Sequence, residues 1–439
     1  MLNAIYGKRK AATTGPPERK IMHEFTFKNN ELYCEDVKIS DIAKKVPTPF
    51  YLYSYATLLD HYRKIRSAFS AISPLICFSV KSNSNIAILR ALVKAGAGLD
   101  IVSGGELYRA RLAGVDPRKV VYAGVGKKPD EIEDAINAGI LFFNVESEEE
   151  LDVIQKIAAS LKKRVNAAIR INPDVVPKTH SHVATGKGDT KFGLDFETVH
   201  KIFNSQWRYP NLNIRGVHIH IGSQIVDGDP FEEAINKVLS FLKKYRIEVD
   251  YFNIGGGLGI VYSMENPQTA KNFAKRILPM LKRSRIKIIL EPGRFISGNS
   301  GILVTKVLYT KITPRNTFVI VDGGMSDLIR PSLYTAYHKI VPVKVRQDSS
   351  RTCEKVDVVG PICESGDFLG KDRFLPMMCK GDLLAVMGAG AYGFTMSSNY
   401  NSRPRAAEAM VMKGKIHIIR RQENYADLIR GESIPKELK

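Results

Sequence analysis

Between residues 74 and 291 the chain repeats one pattern eight times: a short apolar run followed by a stretch with helical spacing of apolar residues. The runs are Leu75 to Val80, Leu99 to Val102, Val120 to Ala123, Leu141 to Val145, Val165 to Ile171, Ile214 to Ile221, Val249 to Ile254 and Ile286 to Leu290. Strand and helix in strict alternation imply a parallel sheet, and eight such units predict a closed (β/α)8 barrel. Helix boundaries support the count. Ser103-Gly-Gly-Glu106 and Ser147-Glu-Glu-Glu150 match the capping box, and Ile88, Leu89, Leu92 and Val93 recur at helical spacing ahead of Gly96, which can close the helix.

After about residue 310 the rhythm changes. Thr317 to Val321, Lys355 to Val359, Leu383 to Met387 and Ala409 to Ile419 read as strands separated by Gly, Pro, Asp and Asn, with almost no helix pattern. A second, mainly β domain is therefore expected over 311–439, behind a barrel over 46–310. Residues 21–45 read as short strands that pair with the second domain, and 1–20 as a ragged start. A chain of 439 residues accommodates one large and one smaller domain.

No apolar run approaches the roughly 18 to 20 residues needed to cross a bilayer, and the first 20 residues lack the continuous apolar stretch of a secretory signal. The five cysteines are widely spaced and form no C-x-x-C pair, which argues against a disulfide framework or a zinc site and for a reducing cytoplasm. The net charge of +20 raises the question of a nucleic-acid partner. The basic groups, such as Lys162-Lys163-Arg164 and Lys282-Arg283-Ser284-Arg285, are instead scattered over helix ends, where cations suit the helix dipole without a ligand. Neither a nucleic-acid nor a membrane partner is expected.

In a barrel of this kind, the residues that do chemistry sit at the C-terminal ends of the strands. The first run ends in Lys81. Alone, that is a solvated lysine closing a strand; at a barrel mouth it is an amine nucleophile. The sixth ends in His218-Ile219-His220-Ile221-Gly222-Ser223-Gln224, with His218 and His220 on one face because strand side chains repeat every two residues. Such a pair could bind a metal, satisfy itself in the core, or lay a flat ring on a planar cofactor; no third ligand is evident. The seventh ends in Gly255-Gly256-Gly257-Leu258-Gly259, a turn whose amides can face an anion without a Cβ in the way. The eighth ends in Glu291-Pro292-Gly293-Arg294, where a carboxylate at barrel depth calls for a positive partner. Amine, flat ring, phosphate turn and carboxylate match the aldehyde, ring face, phosphate and ring nitrogen of pyridoxal phosphate.

With those motifs the chain resembles the diaminopimelate decarboxylases, in the alanine-racemase-like group of pyridoxal-phosphate enzymes. The resemblance runs from about residue 45 to residue 412. It rests on Phe78-Ser-Val-Lys81-Ser-Asn83, Gly98-Leu-Asp100-Ile-Val-Ser103-Gly-Gly-Glu106, Lys191-Phe-Gly193, the His218 to Gln224 segment, the glycine turn and Glu291-Pro-Gly-Arg294. Further on come Arg330-Pro-Ser-Leu-Tyr334, Gly360-Pro-Ile-Cys363-Glu364-Ser-Gly-Asp367 and Gly388-Ala-Gly-Ala-Tyr392.

The resemblance implies roles. Lys81 joins the cofactor aldehyde, His220 stacks on the ring, and Glu291 pairs with the ring nitrogen. Ser223, Gly255, Gly256 and Gly257 hold the phosphate under Tyr392, with Pro292, Gly293 and Arg294 in the same cofactor set. Cys363 is the expected proton donor. Arg294, Arg330, Tyr334 and Tyr392 meet the distal end of the substrate with its second carboxylate, and Glu364 its amine. The Cys363-Glu364 loop is expected to reach a neighbouring subunit's site in a homodimer. The implied reaction converts meso-diaminopimelate to L-lysine and carbon dioxide, with no metal. Rival readings are an ornithine- or arginine-type decarboxylase of the same fold, for whose substrates two distal arginines have no use, and a non-catalytic cofactor-binding relative. A loop at 178–190, with His180, His182, Gly186 and Gly188, reads as a lid.

Overall fold

The structure is a computed structural model that describes residues 23–175, 190–345 and 353–439. The ragged start at 1–20 and the lid loop, apart from Thr190, lie outside the described residues.

A small antiparallel sheet comes first, from Phe25–Lys28 (β1), Glu31–Cys34 (β2) and Val37–Lys38 (β3). The segment then turns helical at Ile39–Ala43 instead of continuing as strand, because Ile39 and Ile42, three residues apart, are both drawn into the core. Phe50–Ser54 (β4) follows, buried along its whole length.

The next eight strands are Leu75–Ser79 (β5), Gly98–Ile101 (β6), Val120–Tyr122 (β7), Phe142–Val145 (β8), Val165–Arg170 (β9), Leu212–His218 (β10), Tyr251–Asn253 (β11) and Lys287–Leu290 (β12). They close in sequence order into a parallel barrel, β12 pairing with β5. These are the eight apolar runs of the sequence with ends moved by up to three residues; β6 starts one residue earlier than expected, at Gly98, and β10 two earlier, at Leu212. Both capping serines accept from the amide three residues on, at 3.2 Å. The glutamates reach one residue further back than a capping box requires: Glu106 accepts from Val102 N at 2.8 Å and Glu150 from Glu146 N at 2.9 Å. Each clamps the end of a barrel strand to the helix after it.

Gly301–Ile312 (β13), Thr317–Val321 (β14), Ile340–Pro342 (β15), Cys353–Val359 (β16), Phe368–Pro376 (β17), Leu383–Val386 (β18), Ala407–Met412 (β19) and Lys415–Arg420 (β20) build a mixed sheet in which β4 is an interior strand beside the central β13. β4 pairs antiparallel with β13 and parallel with β19, so this sheet joins chain from both sides of the barrel. Two fully buried tyrosines of β4 satisfy their hydroxyls at long range: Tyr51 donates to Asp327 O at 2.6 Å and Tyr53 to Glu408 Oε1 at 2.8 Å. Phe25, Leu32, Ile39 and Ile42 pack in one cluster with Phe50, Leu52, Ile302 and Val411, so the first small sheet covers a face of the mixed sheet.

Candidate active site

Barrel strands send every second side chain inward. The lower inner layer is hydrocarbon and thiol: Cys77, Val121, Phe142, Ala168 and Ile289 form one buried cluster. Two residues further along the same strands or just past their ends come Ser79, Asn144, Arg170 and Glu291, joined by Asp100, His218 and Asn253, all buried. The barrel interior therefore changes from apolar to a polar network toward its C-terminal mouth. Another step of two reaches Lys81, Glu146, His220 and Gly255.

Lys81 stands in a single helical turn, Val80–Ser82, directly after β5. Half-buried, it extends Nζ to within 3.3 Å of Asp100 Oδ2, and the same oxygen accepts from Ser79 Oγ at 2.7 Å. Desolvation in the mouth works against the ammonium, but Asp100, Tyr392 and Glu291 outweigh it and raise the Lys81 pKa. Asp100 lies in the Gly98 to Glu106 motif, and the sequence assigns it no role of its own. Burial, then repulsion from Glu291, pushes its carboxyl up to about 6.

Glu291 is fixed from three sides. Oε1 accepts from Asn144 Nδ2 at 3.2 Å and Asn253 Nδ2 at 2.5 Å, and Oε2 is 3.3 Å from His218 Nε2, a contact not aligned as a hydrogen bond. Burial alone would raise this carboxyl; His218, Lys81 and the Asn253 bond bring it down to about 2. The group is held ionised in the dry interior. His220 is the opposite case: desolvation, then Lys81 and Arg170, drive its pKa well below the ordinary imidazole value, so the ring is neutral. The two histidines thus serve different neighbours, and among the described residues no group of three or more His, Cys, Asp or Glu side chains could hold a metal ion.

The glycine turn is built for close packing. A Cβ on Gly255 would lie 2.4 Å from Ile219 O, one on Gly256 2.1 Å from Glu291 O, and one on Gly257 2.3 Å from Gly222 O. Gly255 and Gly257 also have φ of +69° and +112°. Gly255 N donates to Asn253 Oδ1 at 3.0 Å, and Gly256 N to His220 Nδ1 at 3.2 Å. That second bond makes Nδ1 an acceptor and so places the proton of the neutral His220 ring on Nε2. Among the described residues the amides of Gly257 and Leu258 donate to no protein group, which leaves them for a ligand.

Next to this turn are two guanidiniums. Arg294, after β12, is 7% exposed; Nε and Nη2 donate to Ser223 Oγ at 3.3 and 3.2 Å, and Nη1 to the Tyr262 hydroxyl at 2.6 Å. Its Cζ lies 4.8 Å from the ring centre of Tyr392, and Tyr334 is close enough to act on its charge. Tyr392 N in turn donates to Ser82 O at 2.8 Å, which binds the second sheet's loop to the Lys81 turn. Arg330, 6% exposed, stacks on Tyr262 at 4.8 Å and donates to His338 Nε2 at 2.8 Å. No ion pair joins either arginine to a carboxylate among the described residues. Tyr262 and His338 carried no signal in the sequence: they come from separate segments that meet only when the mixed sheet packs over the barrel mouth.

Gly293 lies where a Cβ would touch Ser79 and Ser82 at 3.0 and 3.1 Å, and Pro292 O accepts from Ser79 N at 3.3 Å, so both seat β12 against β5. Cys363 and Glu364 are on the turn between β16 and β17, both exposed. Buried Asp367 ties that turn down, accepting from Met325 N and Ile362 N, each at 2.6 Å. No side-chain hydrogen bond or ion pair links Cys363 or Glu364 to the barrel mouth among the described residues.

Residues 55–298 match the family described as "Pyridoxal-dependent decarboxylase, pyridoxal binding domain". The chain is 47% identical to a diaminopimelate decarboxylase of Aquifex aeolicus over 91% of this chain and 95% of that protein. It is 44% identical to one of Vibrio cholerae over 95% and 100% respectively. The solved diaminopimelate decarboxylase of M. jannaschii in co-complex with L-lysine superposes with a TM-score of 0.89 at 39% identity, covering 94% of this chain and 99% of that one. Barrel, strand-end site and these relatives agree: the chain belongs to the diaminopimelate decarboxylases, carboxy-lyases of the pyridoxal-dependent decarboxylase family.

Proposed function

We propose that this chain removes the carboxylate at the D-centre of meso-diaminopimelate and releases L-lysine and carbon dioxide. The observation that carries the reading is the pair Arg294 and Arg330, two adjacent buried cations without a carboxylate partner among the described residues. Buried charge of one sign is costly until an anion joins it. The cofactor phosphate and the substrate's second carboxylate are two such anions, and the planar guanidinium fork suits both. A monocarboxylate such as ornithine would leave one of them uncompensated.

The residues fit pyridoxal phosphate. Lys81 supplies the amine for its aldehyde, His220 a neutral ring for its face, and Glu291 an ionised carboxylate for its nitrogen. Ser223, the Gly257 amide, Arg294 and Tyr392 would hold its phosphate. Gly255 and Gly256 serve the cofactor indirectly, one amide fixing Asn253 beside Glu291 and the other fixing the His220 tautomer. Bound pyridoxal phosphate supplies a conjugated ring that takes up the electron pair left when carbon dioxide departs. Glu291, held ionised by His218, Lys81 and the Asn253 bond, would keep a proton on the ring nitrogen. Asp100, 3.3 Å from Lys81 Nζ, would balance the ammonium of a free Lys81. Arg330 and Tyr334 orient the substrate by its distal carboxylate.

Cys363, exposed on its turn, delivers a proton to the D-centre from a second copy of the chain, and Glu364 beside it meets the distal amine. That arrangement requires a homodimer. No helix among the described residues is long and apolar enough to cross a membrane, and a cytoplasmic site of action suits the widely spaced cysteines. The test is an assay of carbon dioxide and lysine from meso-diaminopimelate, with ornithine and arginine as alternatives. Faster release from ornithine would overturn the assignment.

A further inference from the structure

Arg330 keeps its place through His338. This histidine is 0% exposed, and its two nitrogens have unambiguous partners. Nδ1 is 2.9 Å from the carbonyl oxygen of Met387, which can only accept, so Nδ1 carries the ring proton. Nε2 is 2.8 Å from Arg330 Nη1, which can only donate, so Nε2 offers its lone pair. Both contacts hold only in the neutral Nδ1–H tautomer. A second proton would set one N–H against another, and burial together with Arg330 accordingly lowers the pKa to about 3. On its other side Arg330 stacks on Tyr262 at 4.8 Å, and Tyr262 meets His338 edge-on at 5.1 Å. With one nitrogen pinned and one face stacked, the plane of the guanidinium is set.

We propose that His338 is a positioning residue that orients Arg330 toward the second carboxylate of the substrate, and so contributes to selection of dicarboxylic substrates. The inference rests on the reading of Arg330 as the grip on that carboxylate. The chemical type of the partner matters. An aspartate or glutamate at this position would also orient Arg330, but it would neutralise the charge that has to attract the ligand. A neutral imidazole accepts the hydrogen bond and leaves the full positive charge for the substrate. Its second bond, to Met387 O at the end of β18, anchors the ring to the mixed sheet, so the sheet domain fixes the angle at which Arg330 enters the barrel mouth.

Two substitutions separate the two bonds. In His338→Asn the amide nitrogen can stand where Nδ1 stands and keep Met387 O, but nothing replaces Nε2. In His338→Gln the amide oxygen can stand where Nε2 stands and keep Arg330, while the Met387 bond is lost. Each holoenzyme is assayed with meso-diaminopimelate and with two competing ligands: L-lysine, which carries one carboxylate, and cadaverine, the same chain and amines without it. The expected result for His338→Asn is a rise of tenfold or more in the KM for meso-diaminopimelate and in the inhibition constant of L-lysine, with cadaverine changed less than twofold and kcat lowered less than threefold. His338→Gln recovers most of the loss. Equal weakening of L-lysine and cadaverine, or equal behaviour of the Asn and Gln variants, overturns the proposal, since a purely structural histidine would act in that way. If the parent enzyme itself fails to decarboxylate meso-diaminopimelate, the functional reading falls instead, and the two failures are distinct.

Discussion

Glu291→Gln removes one negative charge from the polar layer of the barrel and leaves the side-chain shape intact. The carboxylate oxygen Oε1 already accepts from Asn144 and Asn253, so a glutamine oxygen can keep both bonds while its nitrogen turns toward His218. The loss is electrostatic rather than a matter of packing. Two consequences follow. Asp100 is raised to about 6 first by burial and second by Glu291, so with the Glu291 charge gone its carboxyl falls back toward the ordinary range. On the proposed pairing of Glu291 with the cofactor nitrogen, that nitrogen loses its counter-ion, and a hydrogen bond to a charged group contributes about 1.5–3 kcal/mol, so kcat should drop roughly 10- to 150-fold.

The signs of the two linkages differ. Asp100 has its pKa raised on folding, so its contribution to stability is complete below 3.8 and is lost as the pH rises through about 6. Glu291 has its pKa lowered, so its contribution is present above 4.5 and is lost as the pH falls through about 2. The variant lacks the Glu291 contribution, and denaturation of the cofactor-free proteins should show a stability gap at neutral pH that narrows as the pH falls from 4.5 toward 2. Steady-state carbon dioxide release gives kcat, and cofactor absorbance verifies occupancy. A fully loaded variant with unchanged kcat, or a gap that does not narrow in acid, would refute the reasoning.

Arg330→Met removes one of two buried cations, and kcat/KM for meso-diaminopimelate should fall by the roughly 2–5 kcal/mol of a truncated buried ion pair, on the order of 30- to several-thousand-fold. D-Lysine, which lacks the distal carboxylate, should lose little; an equal loss on both substrates would detach Arg330 from that carboxylate. Gly256→Ala puts a methyl group 2.1 Å from Glu291 O and should weaken cofactor retention during dialysis at least tenfold, since only a shift of two strand ends could relieve the overlap. Cys363→Ala should slow turnover and leave cofactor binding unchanged. Mixed with Lys81→Ala subunits, it should recover up to about a quarter of parental activity, the share of intact sites when two inactive chains pair at random across a shared interface. No recovery on mixing would place both residues in one chain's site.

The elements that were readable in the sequence are those whose pattern is local. Barrel strands are covered on both faces, so they appear as apolar runs such as Ile286 to Leu290, and the two-residue period then indicates which residues line the interior. Lys81, His220, Gly255 and Glu291 could be named for that reason. β4 and β13 were harder. β4 reads Phe-Tyr-Leu-Tyr-Ser without alternation because both its faces are buried, and nothing in it distinguishes a ninth barrel run from an interior strand of another sheet. β13 is buried in its first half and mostly exposed in its second, so one strand shows two patterns. The arginine cluster is a different problem. Arg330, Tyr262 and His338 belong to three segments whose meeting depends on how the mixed sheet sits on the barrel, and no short-range pattern encodes that packing. Motif resemblance could mark Arg330 but not its support, because a lone histidine in a loop looks the same whether it is solvated or, like His338, wholly buried with both nitrogens engaged. Chemistry carried by strand ends is thus legible from one strand at a time. A cluster such as Arg330, Tyr262 and His338, supplied jointly by the barrel and the mixed sheet, becomes visible only once the two are packed.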